Sequence, residues 1–145
     1  MAISIKAFGA FTESALKDLF AGATGIDASA TIFLALTTDA PNQDTWDTFA
    51  DVTGEIVDAS YTAGGNAMAG LTVTEAVKVV SIDANDTVFT ALDKNFAYGI
   101  IYQKGGGDPL IAYVDNDGTL DVESAGPQDV TFAWPAGGFL THTVA

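Results

Sequence analysis

The chain contains neither cysteine nor arginine. Without cysteine, disulfides, thiolate nucleophiles and thiolate metal sites are excluded. Without arginine, the chain lacks the planar donor group that most often holds phosphates and carboxylates through two parallel hydrogen bonds. The sequence therefore excludes thiol chemistry and argues against most nucleotide and phosphosugar binding.

Positive charge is also scarce. Five lysines stand against nineteen acidic residues, which gives a formal net charge of −14. Proteins bind nucleic acid and anionic membranes largely through lysine and arginine. Both of these polyanions should therefore repel this chain. Most of the acids fall in predicted turns, where aspartate bonds its own backbone. We expect neither nucleic acid nor a membrane as a partner.

Long apolar runs are missing as well. No run approaches the ~18 residues that a membrane-spanning helix needs. The first residues, Met1 to Phe8, lack the basic start and long apolar stretch of a secretory signal peptide. We therefore expect the protein to be used without export by that route.

Residues that could carry catalysis or bind a metal are few. The single histidine, His142, would have to support a catalytic triad or a zinc site alone. Asp115-Asn116-Asp117-Gly118 resembles the start of a calcium loop, but its glycine comes fourth instead of sixth and no glutamate stands twelfth. The glycines at 105–107 lack the Lys-Ser or Lys-Thr of a phosphate-binding loop. We predict hairpin turns at both segments, no enzymatic activity, and no need for a metal or cofactor.

What the sequence does contain is a hydrophobic, turn-rich chain of 145 residues. Hydrophobic residues make up 48% and charged residues 17%, a composition typical of one folded domain with its own core. Strands are predicted at residues 30–37, 54–60, 68–81, 87–92, 96–103, 109–115, 119–123, 128–133 and 139–144. The predicted fold is mainly β: an antiparallel β-sandwich or jelly-roll-like barrel with one short N-terminal helix.

The N-terminal part is expected to differ from the rest. Residues 12–21 predict the helix, which opens a single domain spanning residues 12–145. Residues 1–11 alternate apolar and polar side chains in their first half, as a short strand does. We predict an attachment arm that adds to the edge of a neighbouring subunit's sheet, and an almost equally supported alternative is the first strand of the chain's own sandwich.

Residues 54–71 have the pattern of a β-hairpin. One strand ends near Tyr61, a turn forms on Gly64-Gly65, and a second strand starts at Met68. The predicted core of the whole domain includes Ile32, Leu34, Val57, Leu71, Val79, Ile100, Ile111, Val114 and Phe132.

The acidic loop at 41–52 contains two aromatic residues, Trp46 and Phe49. An aromatic pair in a polar loop usually covers a core, but tryptophan is also enriched where proteins bind one another. Both interpretations stay open on the sequence alone.

Several segments together resemble small β-rich virion proteins of tailed bacteriophages. They are residues 15–22 (ALKDLFAG), 32–38 (IFLALTT) followed by Ala40-Pro41, 54–57 (GEIV), 61–65 (YTAGG), 98–102, 109–115 and 130–134. Their order and spacing are similar to those of proteins encoded among phage head and tail genes, some of which are capsid decoration, or cement, proteins. Such proteins often carry arginine after the hairpin tyrosine, where this chain has Thr62, so a contact through that arginine has no counterpart here.

The resemblance implies a non-enzymatic structural protein of the virion that binds the capsid exterior and stabilises it. It implies the major capsid protein and further copies of this chain, in a homotrimer, as partners. The residues expected to bind a partner are Ile3, Ile5, Phe8, Phe11, Trp46 and Phe49.

Two alternatives to a capsid decoration protein stay open. One is a phage tail or fibre component. The other is a carbohydrate-binding or hydrolytic β-sandwich that uses aromatic rings as stacking platforms, namely Trp46, Tyr98, Tyr102 and Tyr113. An exposed row of these rings would favour the carbohydrate alternative.

Overall fold

The computed structural model describes residues 4–7 and 32–143. The described strands are β1 Ser4–Ala7, β2 Ile32–Thr37, β3 Asn66–Ala67, β4 Thr72–Ala76, β5 Val79–Asp83, β6 Thr87–Leu92, β7 Phe96–Gln103, β8 Leu110–Leu120, β9 Gln128–Phe132 and β10 Leu140–Thr143. Two short 3₁₀ turns span Phe49–Asp51 and Glu123–Ala125. All strand pairings are antiparallel, which confirms the predicted mainly β fold. The predicted helix at 12–21 lies outside the described residues.

The strands form three sheets. The largest has five strands in the order β1-β8-β7-β2-β3, the second has the order β10-β5-β4, and the third pairs β6 with β9. The strands richest in apolar residues, β2, β7 and the first half of β8, lie at the centre of the largest sheet. Nearly continuous apolar strands suit this position because both faces of the sheet are covered.

The larger core packs one face of the five-stranded sheet against the β6–β9 pair. Leu34 and Val114 contribute from the large sheet, and Phe89 and Phe132 contribute from β6 and β9. The Phe132 and Phe89 rings lie 5.9 Å apart between centroids and meet edge to face. Gly99 in β7 leaves room for this packing, because a Cβ there would lie 2.9 Å from Leu34 Cδ1. A second β layer on the first gives this side the arrangement of a sandwich.

The opposite face of the large sheet carries a second, smaller core. Ala35, Ile100 and Tyr113 belong to it, and they alternate along their strands with residues of the first core. This alternation follows from the two-residue repeat of a β-strand. The cover on this face is the loop that contains Trp46 and Phe49.

The predicted core is mostly correct. The predicted residues that are buried are Ile32, Leu34, Ile100, Ile111, Val114 and Phe132. Leu71 and Val79 are half-buried. The prediction that Val57 belongs to the core is wrong, since 86% of its surface is exposed. Its neighbour Ile56 is buried instead.

The predicted hairpin at 54–71 is wrong in its first strand. Residues 54–60 contribute one isolated bridge, between Glu55 and Thr37. The turn is present, closed by a 2.9 Å hydrogen bond from Gly65 N to Thr62 O, and it leads into β3, which pairs with β2. A Cβ on Gly65 would lie 1.9 Å from the Leu34 carbonyl oxygen. The glycine is therefore needed because two backbones approach closely there.

The predicted strand at 68–81 is instead a hairpin of β4 and β5. Its two-residue turn consists of Val77 and Lys78, with φ values of 51° and 64°. Turns of this kind normally use Asn, Asp or Gly, because a β-branched residue is disfavoured at positive φ. The sequence therefore carries no recognisable turn signal at this point.

The predicted turn at Asp115–Gly118 lies inside a single long strand, β8. Phe96 of β7 pairs with Leu120 and Tyr98 pairs with Asp115, so β8 carries extra residues between these two pairs. Asp117 and Gly118 have positive φ, as their turn-forming character suggests. Here that conformation produces a bulge that interrupts the pairing without reversing the chain.

β1 is the part of the predicted N-terminal arm that the structure describes. It pairs with β8 of the same chain, in a register that sets Ser4 opposite Asp115 and Ala7 opposite Ala112. Lys6 Nζ lies 3.8 Å from the Asp115 carboxylate. For residues 4–7, the alternative of a strand in the chain's own sheet is therefore the arrangement observed. The other residues of 1–11 lie outside the described ones.

Candidate interaction surface

The second face of the large sheet is covered by a loop of residues 38–54, which we call the Trp46 loop. Its base is closed by a 2.9 Å hydrogen bond from Thr38 N to Gly54 O. Its middle is attached to the start of β8, because Phe49 N donates to Asp108 O at 2.9 Å and Leu110 N donates to Asp47 O at 3.0 Å. Backbone hydrogen bonds thus hold the loop against the sheet.

Trp46 and Phe49 occupy the space beneath this loop. Trp46 is 8% exposed and belongs to the same cluster as Ala35 and Ile100. Phe49 is stacked on Tyr102, with 4.2 Å between ring centroids and 14° between ring planes. Aromatic pairs of this geometry stabilise a fold by about 0.5–1.5 kcal/mol beyond their buried area. Of the two interpretations of this pair, the structure displays the one in which it covers a core.

One carboxylate organises the middle of the Trp46 loop. Asp51 Oδ2 accepts hydrogen bonds from Asp47 N at 3.1 Å, Thr48 N at 2.9 Å and Thr48 Oγ1 at 3.1 Å. These bonds, led by the one from the Thr48 backbone, favour the charged carboxylate and lower the pKa of Asp51. Asp51 is therefore a structural part of the loop that carries the two aromatic residues.

A second network attaches residues 55–64 to β2 and β7. The Tyr61 hydroxyl donates to Glu55 Oε1 at 2.8 Å and accepts from Leu36 N at 3.1 Å. Gly64 N donates to the same carboxylate oxygen at 2.6 Å, and the Tyr102 hydroxyl donates to Gly64 O at 2.9 Å. Burial raises the pKa of Tyr61 and raises the pKa of Tyr102 to about 12. Both hydroxyls therefore stay protonated and act as hydrogen-bond donors.

The residues predicted to bind a partner lie in different places. Ile5 on β1 packs at the margin of the first core. Trp46 and Phe49 belong to the second core, on the other face of the large sheet. The remaining three lie outside the described residues: Ile3, Phe8 and Phe11. The structure therefore does not bring the three described residues onto one common surface.

The aromatic residues considered as sugar-stacking platforms form the inner layer of the second core. Trp46, Tyr102 and Tyr113 are 8%, 1% and 7% exposed. Tyr98 is half-buried and meets the Tyr113 ring edge to face at 6.4 Å. The exposed row that would favour carbohydrate binding is not found among these four side chains.

Other acidic side chains also accept hydrogen bonds from backbone N–H groups in turns. Asp58 accepts from Asp93 N at 2.7 Å, and Asp129 accepts from Ala91 N at 2.9 Å. The bond from Asp93 is the main cause that lowers the pKa of Asp58. Acids in these turns thus organise the backbone, as expected for aspartate. Among residues 4–7 and 32–143, no group of three His, Cys, Asp or Glu side chains is placed to hold a metal ion.

Two exposed apolar side chains were missed by sequence reasoning. Val57 is 86% exposed and Val77 is 94% exposed. Both lie in segments whose composition is typical of strands, and their exposure depends on turns that the sequence does not mark. Val77 is the more unusual residue, since it combines full exposure with a positive φ at the end of the β4–β5 hairpin.

In comparisons with known proteins, no family model, no curated protein and no solved structure matches the chain. Within the part of the chain that the structure describes, no helix is long and apolar enough to cross a membrane. A proposal for function therefore depends on the residues themselves and on the geometry described above.

Proposed function

We propose that the protein is a non-enzymatic component of a tailed-bacteriophage virion that binds the outer surface of the capsid and stabilises it. Its partners in this proposal are the major capsid protein and further copies of the chain in a homotrimer. Nothing in the proposal requires a metal, a cofactor or nucleic acid.

The observation that carries the proposal is the position of the segments that resemble phage virion proteins. Residues 32–37, 98–102 and 110–115 of those segments lie in β2, β7 and β8, three adjacent strands of the large sheet. Residues 130–132 lie in β9 and contribute Phe132 to the first core. The resemblance therefore covers the residues that build the framework of the fold. It supports a structural role more strongly than a resemblance in scattered loops would.

Charge gives independent support. The net charge of −14 favours solubility of the protein and opposes its adsorption to DNA during particle assembly. Some of the acidic residues also stabilise the fold. Asp51, Asp58 and Asp129 accept hydrogen bonds from backbone N–H groups and hold their loops in place. An acidic surface on a well-bonded β framework suits a protein that coats a particle whose interior holds DNA.

The test uses heads and tails purified separately from a phage that encodes the chain, with the gene for the chain deleted. The purified protein is added to each fraction, and binding is measured by co-sedimentation. We expect saturable binding to heads, and bound heads should release their DNA at a higher temperature than bare heads. Wild-type heads that already carry the protein are the control and should bind little more.

Two results would contradict the proposal. Binding to tails but not to heads would favour a tail or fibre component. Binding to neither fraction, with the protein absent from wild-type virions by mass spectrometry, would exclude a virion role altogether.

A further inference from the structure

Among the residues that the structure describes, no strand pairs with the outer edge of β4. β4 is the last strand of the sheet β10-β5-β4, and its pairings within the described residues are all with β5. The two strands pair at five consecutive positions, from Thr72 with Asp83 to Ala76 with Val79, without any irregularity. The side chains of Thr72, Thr74 and Ala76 are exposed. A regular edge of this kind can accept another strand.

The geometry of the hairpin shows which backbone groups point outward. Because the turn at Val77-Lys78 has two residues with positive φ, the flanking pair Ala76 and Val79 is hydrogen-bonded. Hydrogen-bonded pairs alternate along an antiparallel ladder, so Thr74 and Thr72 also bond to β5. The N–H and C=O groups of Val73 and Glu75 therefore face the open edge.

Several other strands at sheet margins carry features that limit pairing, and β4 lacks these features. β3 has only two residues, and the β6–β9 pair is interrupted between Phe89 and Leu92. β1 carries Lys6, a residue type common on protected edges. β4, with the sequence TVTEA, has no lysine, no proline and no bulge.

We propose that β4 pairs antiparallel with β4 of a second copy of this chain, around a two-fold axis at Thr74. In this register Thr74 faces Thr74, Val73 faces Glu75, and Thr72 faces Ala76. Two three-stranded sheets then become one continuous six-stranded sheet. The contact uses one sheet edge, so the rest of the surface stays available for other partners. The inference does not depend on the proposed capsid function: it concerns a contact between two free chains, separate from the homotrimer proposed on the capsid.

The length of β4 and an exposed valine beside it select this register and this occupant. In a two-fold antiparallel contact, residues that face each other must point to the same side of the sheet. Each allowed register is therefore centred on one residue that faces its own copy. A shift of one residue pair in either direction pairs only three residues of β4 with each other. The register centred on Thr74 uses all five residues of β4 and brings Val77, which is 94% exposed, beside the half-buried Leu71 of the second copy. Self-pairing thus covers an apolar side chain that folding of one chain leaves exposed.

Cysteine cross-linking tests the register, because the native chain has no cysteine. In the proposed contact, the two Thr74 residues form a non-hydrogen-bonded pair with Cα atoms about 4.5 Å apart, within the range that a disulfide spans. The two copies of Thr72, or of Ala76, are about 13 Å apart, because four residues of strand separate them. Under oxidised glutathione, we expect Thr74→Cys to form a covalent dimer, and Thr72→Cys and Ala76→Cys to remain uncross-linked.

A second measurement needs no oxidant. Sedimentation velocity over a range of concentrations should show the wild-type mass doubling, and Thr74→Lys should abolish that doubling because it sets two lysines against each other. Thr90→Lys, at an exposed position on β6, is the matched control and should keep it. Equal melting temperatures would show that both variants fold.

Several outcomes would overturn the proposal. Equal cross-linking at positions 72, 74 and 76 would indicate random collisions. Failure of Thr74→Cys to cross-link, or a wild-type mass that does not double with concentration, would show that the edge is not a contact between copies. The edge would then be covered by other residues of the same chain or remain open to solvent.

Discussion

The centre of the large sheet and the β10-β5-β4 sheet differ sharply in burial. Six of the eight residues in β7 and five of the six in β2 are buried, whereas all five residues of β5 are only half-buried. The centre is covered on one face by the β6–β9 pair and on the other by the Trp46 loop. The β4–β5 hairpin ends in an exposed valine at a positive φ.

This difference indicates a division of roles between the two regions. Burial of apolar area contributes most of the stability of a domain, so the centre of the large sheet should carry it. The β4–β5 hairpin buries little apolar area, so a substitution there should cost little stability. Its residues are therefore freer to contact other molecules. Substitutions in the two regions should therefore have very different effects on folding.

The largest effect is expected at Leu34, which is fully buried in the first core. Leu34→Ala should lower the free energy of unfolding by about 2–5 kcal/mol, because it removes buried methyl groups and leaves a cavity. Val80→Ala, at a half-buried position of β5, should cost clearly less. Urea unfolding of both variants measures the difference. Equal losses would show that the two regions contribute alike to stability.

The sequence predicts the central strands well because their composition and burial agree. The predicted ranges 87–92 and 96–103 coincide with β6 and β7, and in the sequence each is flanked by residue types that form turns. The hairpin turn at Val77-Lys78 could not be predicted, since neither residue type favours positive φ. Asp117-Gly118 shows the converse case, in which a true turn signal produces a bulge because β7 continues to pair on both sides of it.

The candidate surface was harder to predict than the fold. The sequence leaves two interpretations of Trp46 and Phe49 open, and only the position of the loop over β7 and β8 decides between them. The network of Glu55, Tyr61 and Gly64 joins residues close in sequence to Leu36, far earlier in the chain. Local patterns contain no signal for such a long-range contact.

The next largest effect is expected at Gly65, which lies against the centre of the large sheet. Gly65 has a φ of 81°, and an added Cβ would meet the Leu34 carbonyl oxygen at 1.9 Å. Gly65→Ala should cost at least about 1–3 kcal/mol, the range for a strained backbone conformation, and the clash adds to that cost. Gly106→Ala is the matched control, because Gly106 has a φ of 67° and no atom within 4 Å of the added Cβ. In thermal unfolding, the melting temperature of Gly65→Ala should be lower than that of Gly106→Ala. The reverse order would contradict the close approach of β2 and residue 65.

A smaller effect of opposite sign is expected in the hairpin. Val77→Asn should raise the free energy of unfolding by about 1 kcal/mol, because asparagine tolerates the left-handed conformation that costs valine roughly that much. Val57→Asn is the control, since Val57 is also exposed but is not among the residues with positive φ. Both should be measured at low protein concentration, where association does not contribute. A loss of stability in Val77→Asn would show that the valine side chain supports the fold of the single chain.

The smallest expected effect is a pH dependence of the Trp46 loop. The hydrogen bonds from Thr48 and Asp47 lower the pKa of Asp51, so its carboxylate stabilises the loop fully above the ordinary value of 3.8. That contribution is lost as the pH falls through the lowered pKa of the folded state. The readout is the fluorescence of Trp46 in a Trp134→Phe background, which leaves one tryptophan in the chain. We expect the Trp46 emission to move toward that of a solvent-exposed indole only at pH below 3.8.

Asp51→Asn should separate this local change from general acid unfolding. Asparagine keeps one acceptor oxygen but has no charge and adds an NH₂ group, so it cannot replace the carboxylate that accepts three hydrogen bonds. The variant should show a more exposed Trp46 already at neutral pH, while the far-UV circular dichroism of the strands stays unchanged. Asp44→Asn is the control, because Asp44 is an exposed acid in the same loop that donates from its own backbone N–H to Asn42 Oδ1 at 3.0 Å. If both variants behave like the wild type, the loop is held by its backbone bonds and buried rings, and the two faces of the large sheet do not differ in their response to acid.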